Sequence, residues 1–237
     1  MRPLARCGGI VAYLAALLLV DTQVALEGQL ALGALTWAAL AWVLLPETAL
    51  VRAQTLVVVC VATCGEVVGS IIWGVYTYRL ENLPGFVPPA HGLVFLAGAS
   101  LARAAARPAA RAWLVRGALA AAVAWGLAGV TILPRADVGG ALGAALLAVY
   151  LVRGRAPAVY AGVFVIVAWL ELYGTALGTW AWAVTIAGTR IPNGNPPSGV
   201  AAGYVWFDIV ALAVAPRLLA LGRRLRAPSG RVAADGR

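Results

Sequence analysis

Apolar runs of roughly 15 to 25 residues alternate with short polar breaks along the chain, and this pattern predicts helices near 8–25, 29–46, 54–77, 88–102, 112–133, 138–152, 157–187 and 200–221. Backbone in lipid must satisfy its own hydrogen bonds, and the runs are too long and too weakly alternating for barrel strands. The expected fold class is therefore all-α, a polytopic transmembrane helical bundle of about eight spans. The runs at 88–102 and 138–152 are short for a span. The first run follows the basic start Met1 to Arg6, but acidic Asp21 and further apolar runs come after it, so it reads as a spanning helix and not a cleavable leader.

Alignment of the third and seventh runs on their glutamates brings out a repeat. Glu66-Val-Val-Gly69-Ser70, continuing through Trp73-Gly74-Val-Tyr76-Thr-Tyr78, matches Glu171-Leu-Tyr-Gly174-Thr175, continuing through Gly178-Thr-Trp180-Ala-Trp182. Paired prolines follow in each copy, Pro88-Pro89 and Pro196-Pro197. Both copies run in the same direction across the bilayer, so the expected arrangement is two parallel four-helix repeats and not the inverted repeat common in transporters. The boundaries are 1–107 and 108–222, followed by a cytoplasmic tail, 223–237, whose composition predicts disorder.

Composition sharpens this picture. Of 237 residues, 62% are hydrophobic and 11% charged, which is a bilayer composition. The net charge of +9 comes from 18 basic residues, all arginine. Their clustering between alternate runs follows the positive-inside rule better than it suits nucleic acid, and it places both termini in the cytoplasm of a bacterial inner (cell) membrane. Without lysine, no Schiff-base or pyridoxal chemistry is available. Cys60 and Cys64 read as small packing residues, no metal site or cofactor is expected with one histidine, and no phosphate loop or nucleophile elbow is present.

Three acids lie inside predicted spans: Glu66, Glu171 and Asp208. At 1.5 Å per residue, the glutamates lie roughly 18–21 Å from the cytoplasmic edge and Asp208 about 12 Å from the outer one, so all three are expected to line one cavity. An acid at that depth costs a few kcal/mol unless paired or hydrated, and the candidate catalytic set is these three. Gly69, Ser70 and Trp73 share the face of Glu66, as Gly174, Thr175 and Gly178 share that of Glu171; the hydroxyls are expected to bond the carboxyls. Candidate substrate-binding residues are Ser70, Trp73, Tyr76, Tyr78, His91, Thr175, Trp180, Trp182 and Asn195. The plain alternatives are interfacial anchors for Tyr78, Trp180 and Trp182 and a solvent-facing helix start for His91. The proline-bearing outer loops are expected to form stiff lids.

The stretch from Glu66 to Pro89, with its Gly, Tyr-x-Tyr and Val-Pro elements, resembles the motif of integral-membrane carotenoid hydratases. Chain length and the positions of Glu66 and Asp208 are also similar to small membrane-bound terpene cyclases, which begin by protonating an alkene or epoxide. Their Trp-Glu pair is matched at Trp169-Leu-Glu171, with one residue inserted. The whole chain looks like uncharacterised actinobacterial membrane proteins. These resemblances imply an intramembrane enzyme of the lyase or isomerase kind, acting on an isoprenoid or other lipid, with a buried carboxylic acid as proton donor, Asp208 as base or cation stabiliser and aromatic faces shielding a carbocation. A small proton-coupled transporter and a non-catalytic membrane assembly subunit are the competing classes, and a homo-oligomer fits any of them.

Overall fold

The structure, a computed structural model, describes residues 2–226. Among these, the chain forms eight α-helices: α1 (Pro3–Asp21), α2 (Leu26–Leu44), α3 (Ala49–Glu66), α4 (Val87–Ala104), α5 (Pro108–Thr131), α6 (Val138–Arg153), α7 (Pro157–Leu177) and α8 (Ala201–Arg226). Proline in the first turn starts α1, α4, α5 and α7, where its fixed φ suits the helix and its missing N–H costs nothing. Thr48 and Asp137 cap α3 and α6 by accepting from Val51 and Gly140 N–H. Pro88 and Pro89 thus belong to the first turn of α4, at the start of the run expected from 88 to 102.

Six helices are long and apolar enough to cross a membrane: α1, α2, α3 with its continuation to Ile72, α5, α7 and α8. The two short runs behave differently. α6 has 16 residues, while α4 is enclosed by protein along most of its length, packing on α1, α2, α3 and α7. Enclosure removes the need for an apolar lipid-facing surface and explains how α4 carries His91 and Ser100 inside. Gly98 of α4 faces Gly162 where α7 crosses it, a small-residue contact that lets two helix backbones approach. The most extensive pairings are α3 on α8 and α4 on α7.

Two expected helices end early. The predicted run 54–77 stops at Ile72 and the run 157–187 stops at Leu177; each chain then folds back as a short strand, β1 (Tyr76–Tyr78) and β2 (Trp180–Trp182). The strands pair antiparallel, Tyr76 opposite Trp182, Thr77 opposite Ala181 and Tyr78 opposite Trp180. Among the described residues this ladder, with an isolated antiparallel bridge between Thr185 and Pro192, departs from an all-helical architecture. At the other terminus α8 continues through 223–226, the first residues of the expected tail; the rest of that tail, 227–237, lies outside the described residues. Cys60 and Cys64 are exposed on α3 and do not pack internally, whereas Cys7 is buried.

Candidate active site

Beyond Glu66, α3 widens into a π-helical turn, Val67–Ile72. The chain reverses at Gly74, whose φ of 62° favours glycine, and returns as β1. α7 reverses without a π turn, closing on Gly178 at φ 74° before β2. A π turn holds one more residue than an α turn. The spacing reflects this, because the left-handed glycine falls eight residues after Glu66 but seven after Glu171. Gly74 is therefore the counterpart of Gly178, a correction to the register that set Trp73 against it.

Each returning strand presents two aromatic donors to the glutamate that precedes it. The Tyr76 and Tyr78 hydroxyls donate to Glu66 Oε2 at 2.8 and 2.6 Å. The Trp180 and Trp182 indole N–H groups donate to Glu171 Oε2 at 3.0 and 3.1 Å. Glycine three residues after each glutamate makes room for the fold-back: a Cβ on Gly69 would come within 3.1 Å of the Tyr76 ring and hydroxyl, and one on Gly174 would overlap the Trp180 ring. The Glu-x-x-Gly and aromatic-x-aromatic elements are thus two ends of one clasp. Burial, and after it the neighbouring Glu66, push the Tyr76 and Tyr78 phenols above the ordinary tyrosine range, so both stay protonated donors. The interfacial-anchor alternative fails for Tyr78 and Trp180, which are buried.

Oε2 of each glutamate thus accepts from two donors, and Oε1 faces other side chains. Glu66 Oε1 lies 3.3 Å from His91 Nε2, close enough for charge pairing though not aligned as a hydrogen bond. His91 Nδ1 lies 3.1 Å from the Val87 carbonyl, which can only accept, so Nδ1 carries a hydrogen and Nε2 is the ring nitrogen that faces Glu66 Oε1. Glu171 Oε1 accepts from the Tyr204 hydroxyl at 3.3 Å, giving that carboxyl three donors. The His91 and Tyr204 rings stack at 4.9 Å and 18°, and Tyr76 lies 4.6 Å from Trp182. The two glutamates are therefore joined by aromatic contacts on both sides. His91 is buried, not solvent-facing.

Both glutamates line a cavity of about 360 Å³ between α1, α3, α4, α7, α8 and the strands. Leu14, Leu17 and Leu18 give it an apolar wall, while Trp73, Tyr76, Tyr78, Trp180, Trp182, Tyr204 and Phe207 supply aromatic faces. Trp73 is 63% exposed while lining the cavity, so it stands at the opening.

Other expected residues fall elsewhere. Ser70 and Thr175 do not line the cavity; Thr175 Oγ1 bonds back to the Glu171 carbonyl at 2.7 Å, as helical threonines do, and neither hydroxyl reaches a carboxyl. Asn195 Oδ1 instead accepts the Trp182 backbone N–H at 2.9 Å, holding β2 in place. Asp208 is buried with Oδ2 unpartnered but is absent from the cavity wall. The cavity-facing positions of α8 are Gly203, Tyr204 and Phe207, and at about 100° per residue Asp208 is turned roughly a quarter of a circle from their mean direction.

Several supporting residues carried no signal in the sequence. Asp137 accepts from Gly140 N, Gly194 N, Ser198 N and Ser198 Oγ at 2.6–2.9 Å, tying down the loop before α8. Arg135 donates to the carbonyls of Trp182, Ala183 and Asn193, and Arg79 to those of Asp21 and Val24. Arg79 and Arg135 thus anchor the ends of the clasps to neighbouring backbone. Comparison with protein-family models, curated proteins and solved structures finds no match to this chain.

Proposed function

We propose that this chain is an intramembrane acid–base enzyme acting on an isoprenoid or comparable lipid, built as two parallel four-helix repeats of eight spans with both termini in the cytoplasm. The repeat reading is supported by the matched clasps, by a strand ladder centred on Thr77 and Ala181, and by the exchange of α3–α8 for α7–α4 packing.

One observation carries the chemical reading. Two carboxyl groups, each with one oxygen held by paired aromatic donors and the other turned to His91 or Tyr204, share an apolar cavity. The Glu66–His91 pair supplies the mobile proton. Addition of that proton to an alkene carbon breaks the π bond and leaves a cation on the adjacent carbon. Tyrosine and tryptophan faces stabilise the cation, each by about 0.5–2 kcal/mol, and the carboxylate of Glu171 stands opposite it. Loss of a proton from a neighbouring carbon to the glutamate–histidine pair then gives isomerisation. Where a second alkene of the same chain first attacks the cation, a ring C–C bond forms, and proton loss from the new cation gives cyclisation. Where water adds instead, the protonated alcohol returns its proton to the pair, which gives hydration. Trp73 at the opening suits entry of a long chain from the side.

Glu66→Gln and Glu171→Gln are the direct test. Purified variants that still insert are expected to lose at least about 100-fold in product formation from prenyl lipids, the scale of one general acid. Full turnover by the double variant would exclude the reading. A second reading, a proton-coupled carrier, draws on Asp208, which lies on one stripe of α8 between Tyr204 in the glutamate cavity and Leu212 in a second cavity at the opposite end of the bundle.

A further inference from the structure

That second cavity, of about 620 Å³, lies where the C-terminal end of α4 meets the N-terminal ends of α5 and α7. Its two parts differ in chemistry. Val51, Phe95, Ala99, Val115, Val159 and Leu212 form an apolar floor, and Arg103, Arg111 and Arg155 stand around it with Gln54. Among the described residues the ion pairs are Arg6–Glu47, Arg79–Asp21 and His91–Glu66, so none of these three guanidiniums has a carboxylate partner. Two are nonetheless held: Arg103 donates to Ser100 Oγ at 3.0 Å, and Arg111 to the Ala105 carbonyl at 3.2 Å.

Three positive charges facing one concave surface repel one another unless an anion joins them, and guanidinium groups match phosphate oxygens in geometry. A free anion has no use for an apolar floor. An amphiphile with a phosphate head and a hydrocarbon chain fits both parts, and basic pockets between helices on the cytoplasmic side are where such lipids bind. We infer that this cavity binds the phosphate headgroup of an anionic lipid, with Arg103, Arg111 and Arg155 on the phosphate and the chain laid over Phe95 and Leu212. The site is separate from the glutamate cavity and does not depend on the chemistry there.

The test is native mass spectrometry of the full chain in detergent, titrated with phosphatidylglycerol, phosphatidylcholine or inorganic phosphate. The expected result is one tightly held phosphatidylglycerol per chain, at least tenfold preferred over phosphatidylcholine and not displaced by millimolar inorganic phosphate. R103Q/R111Q/R155Q is expected to lose that preference, and R155Q alone, at a side chain that bonds none of the described residues, to weaken it severalfold. The charge-matched control R107Q/R153Q/R217Q should keep it. Ala112→Phe, which fills the cavity and leaves the charges, should lose it. Retention by the first triple variant, equal loss in the control, or displacement by inorganic phosphate would overturn the assignment.

Discussion

Tyr76 and Tyr78 differ from Trp180 and Trp182 in one property that can be measured, because phenols titrate and indoles do not. Burial and Glu66 raise both phenols in the folded state, so their contribution to stability is fully present below the unfolded tyrosine value of about 10 and is lost as pH rises above it. The chain has no lysine to titrate in that range, which leaves its 7 tyrosines and 3 cysteines. Y76F/Y78F is expected to melt lower than wild type at pH 8, having lost two buried hydrogen bonds of roughly 1–3 kcal/mol each, yet to lose less between pH 9.5 and 11.5. Parallel melting curves across that range would remove these phenols from the account. At this scale the glutamates were legible because an acid inside an apolar run stands out, whereas the spacing pointed to Ser70 and Thr175 as their donors and left the four aromatic residues as cavity walls. Tyr204 and Phe207 were not, since their role depends on which face of α8 the bundle turns inward. The same rotation takes Asp208 out of the wall.

At the level of elements, the helices could be read from the lengths of the apolar runs, but their ends could not. Three-residue strands more than a hundred positions apart carry no periodic signal, and a π turn differs from an α turn by a single residue. The ladder is directly testable. Antiparallel partners lie about 4.5–5.5 Å apart at Cα, inside the range a disulfide accepts, and Thr77 and Ala181 are both exposed. In a background with Cys7, Cys60 and Cys64 replaced, T77C/A181C is expected to form an intramolecular disulfide under mild oxidation, seen as a mass loss of about 2 Da. The offset pair T77C/A183C should remain reduced. Efficient bridging of the offset pair instead would mean that the strand register is wrong.

For the whole molecule, the arginines and the glutamates divide the bundle into two ends. Arg103 at the end of α4, Arg111 at the start of α5 and Arg155 before α7 surround one cavity, while the clasps close the other, where Arg79 and Arg135 are spent on backbone carbonyls. Orientation follows the unspent charge. Cysteine placed at Thr189 in the cysteine-free background is expected to react with a membrane-impermeant maleimide on intact cells, and cysteine at Ala106 only after permeabilisation; the reverse pattern would invert the topology. The measurement that bears most directly on the central claim is deuterium transfer to carbon. Purified protein in liposomes containing squalene, geranylgeraniol and a linear carotene, incubated in deuterium oxide, should yield a product carrying one carbon-bound deuterium for each protonation. Glu66→Gln and Glu171→Gln should each abolish it. Unlabelled lipids after prolonged incubation with wild type, alongside a proton flux through the same liposomes that stops with Asp208→Asn, would contradict the enzyme and favour the carrier.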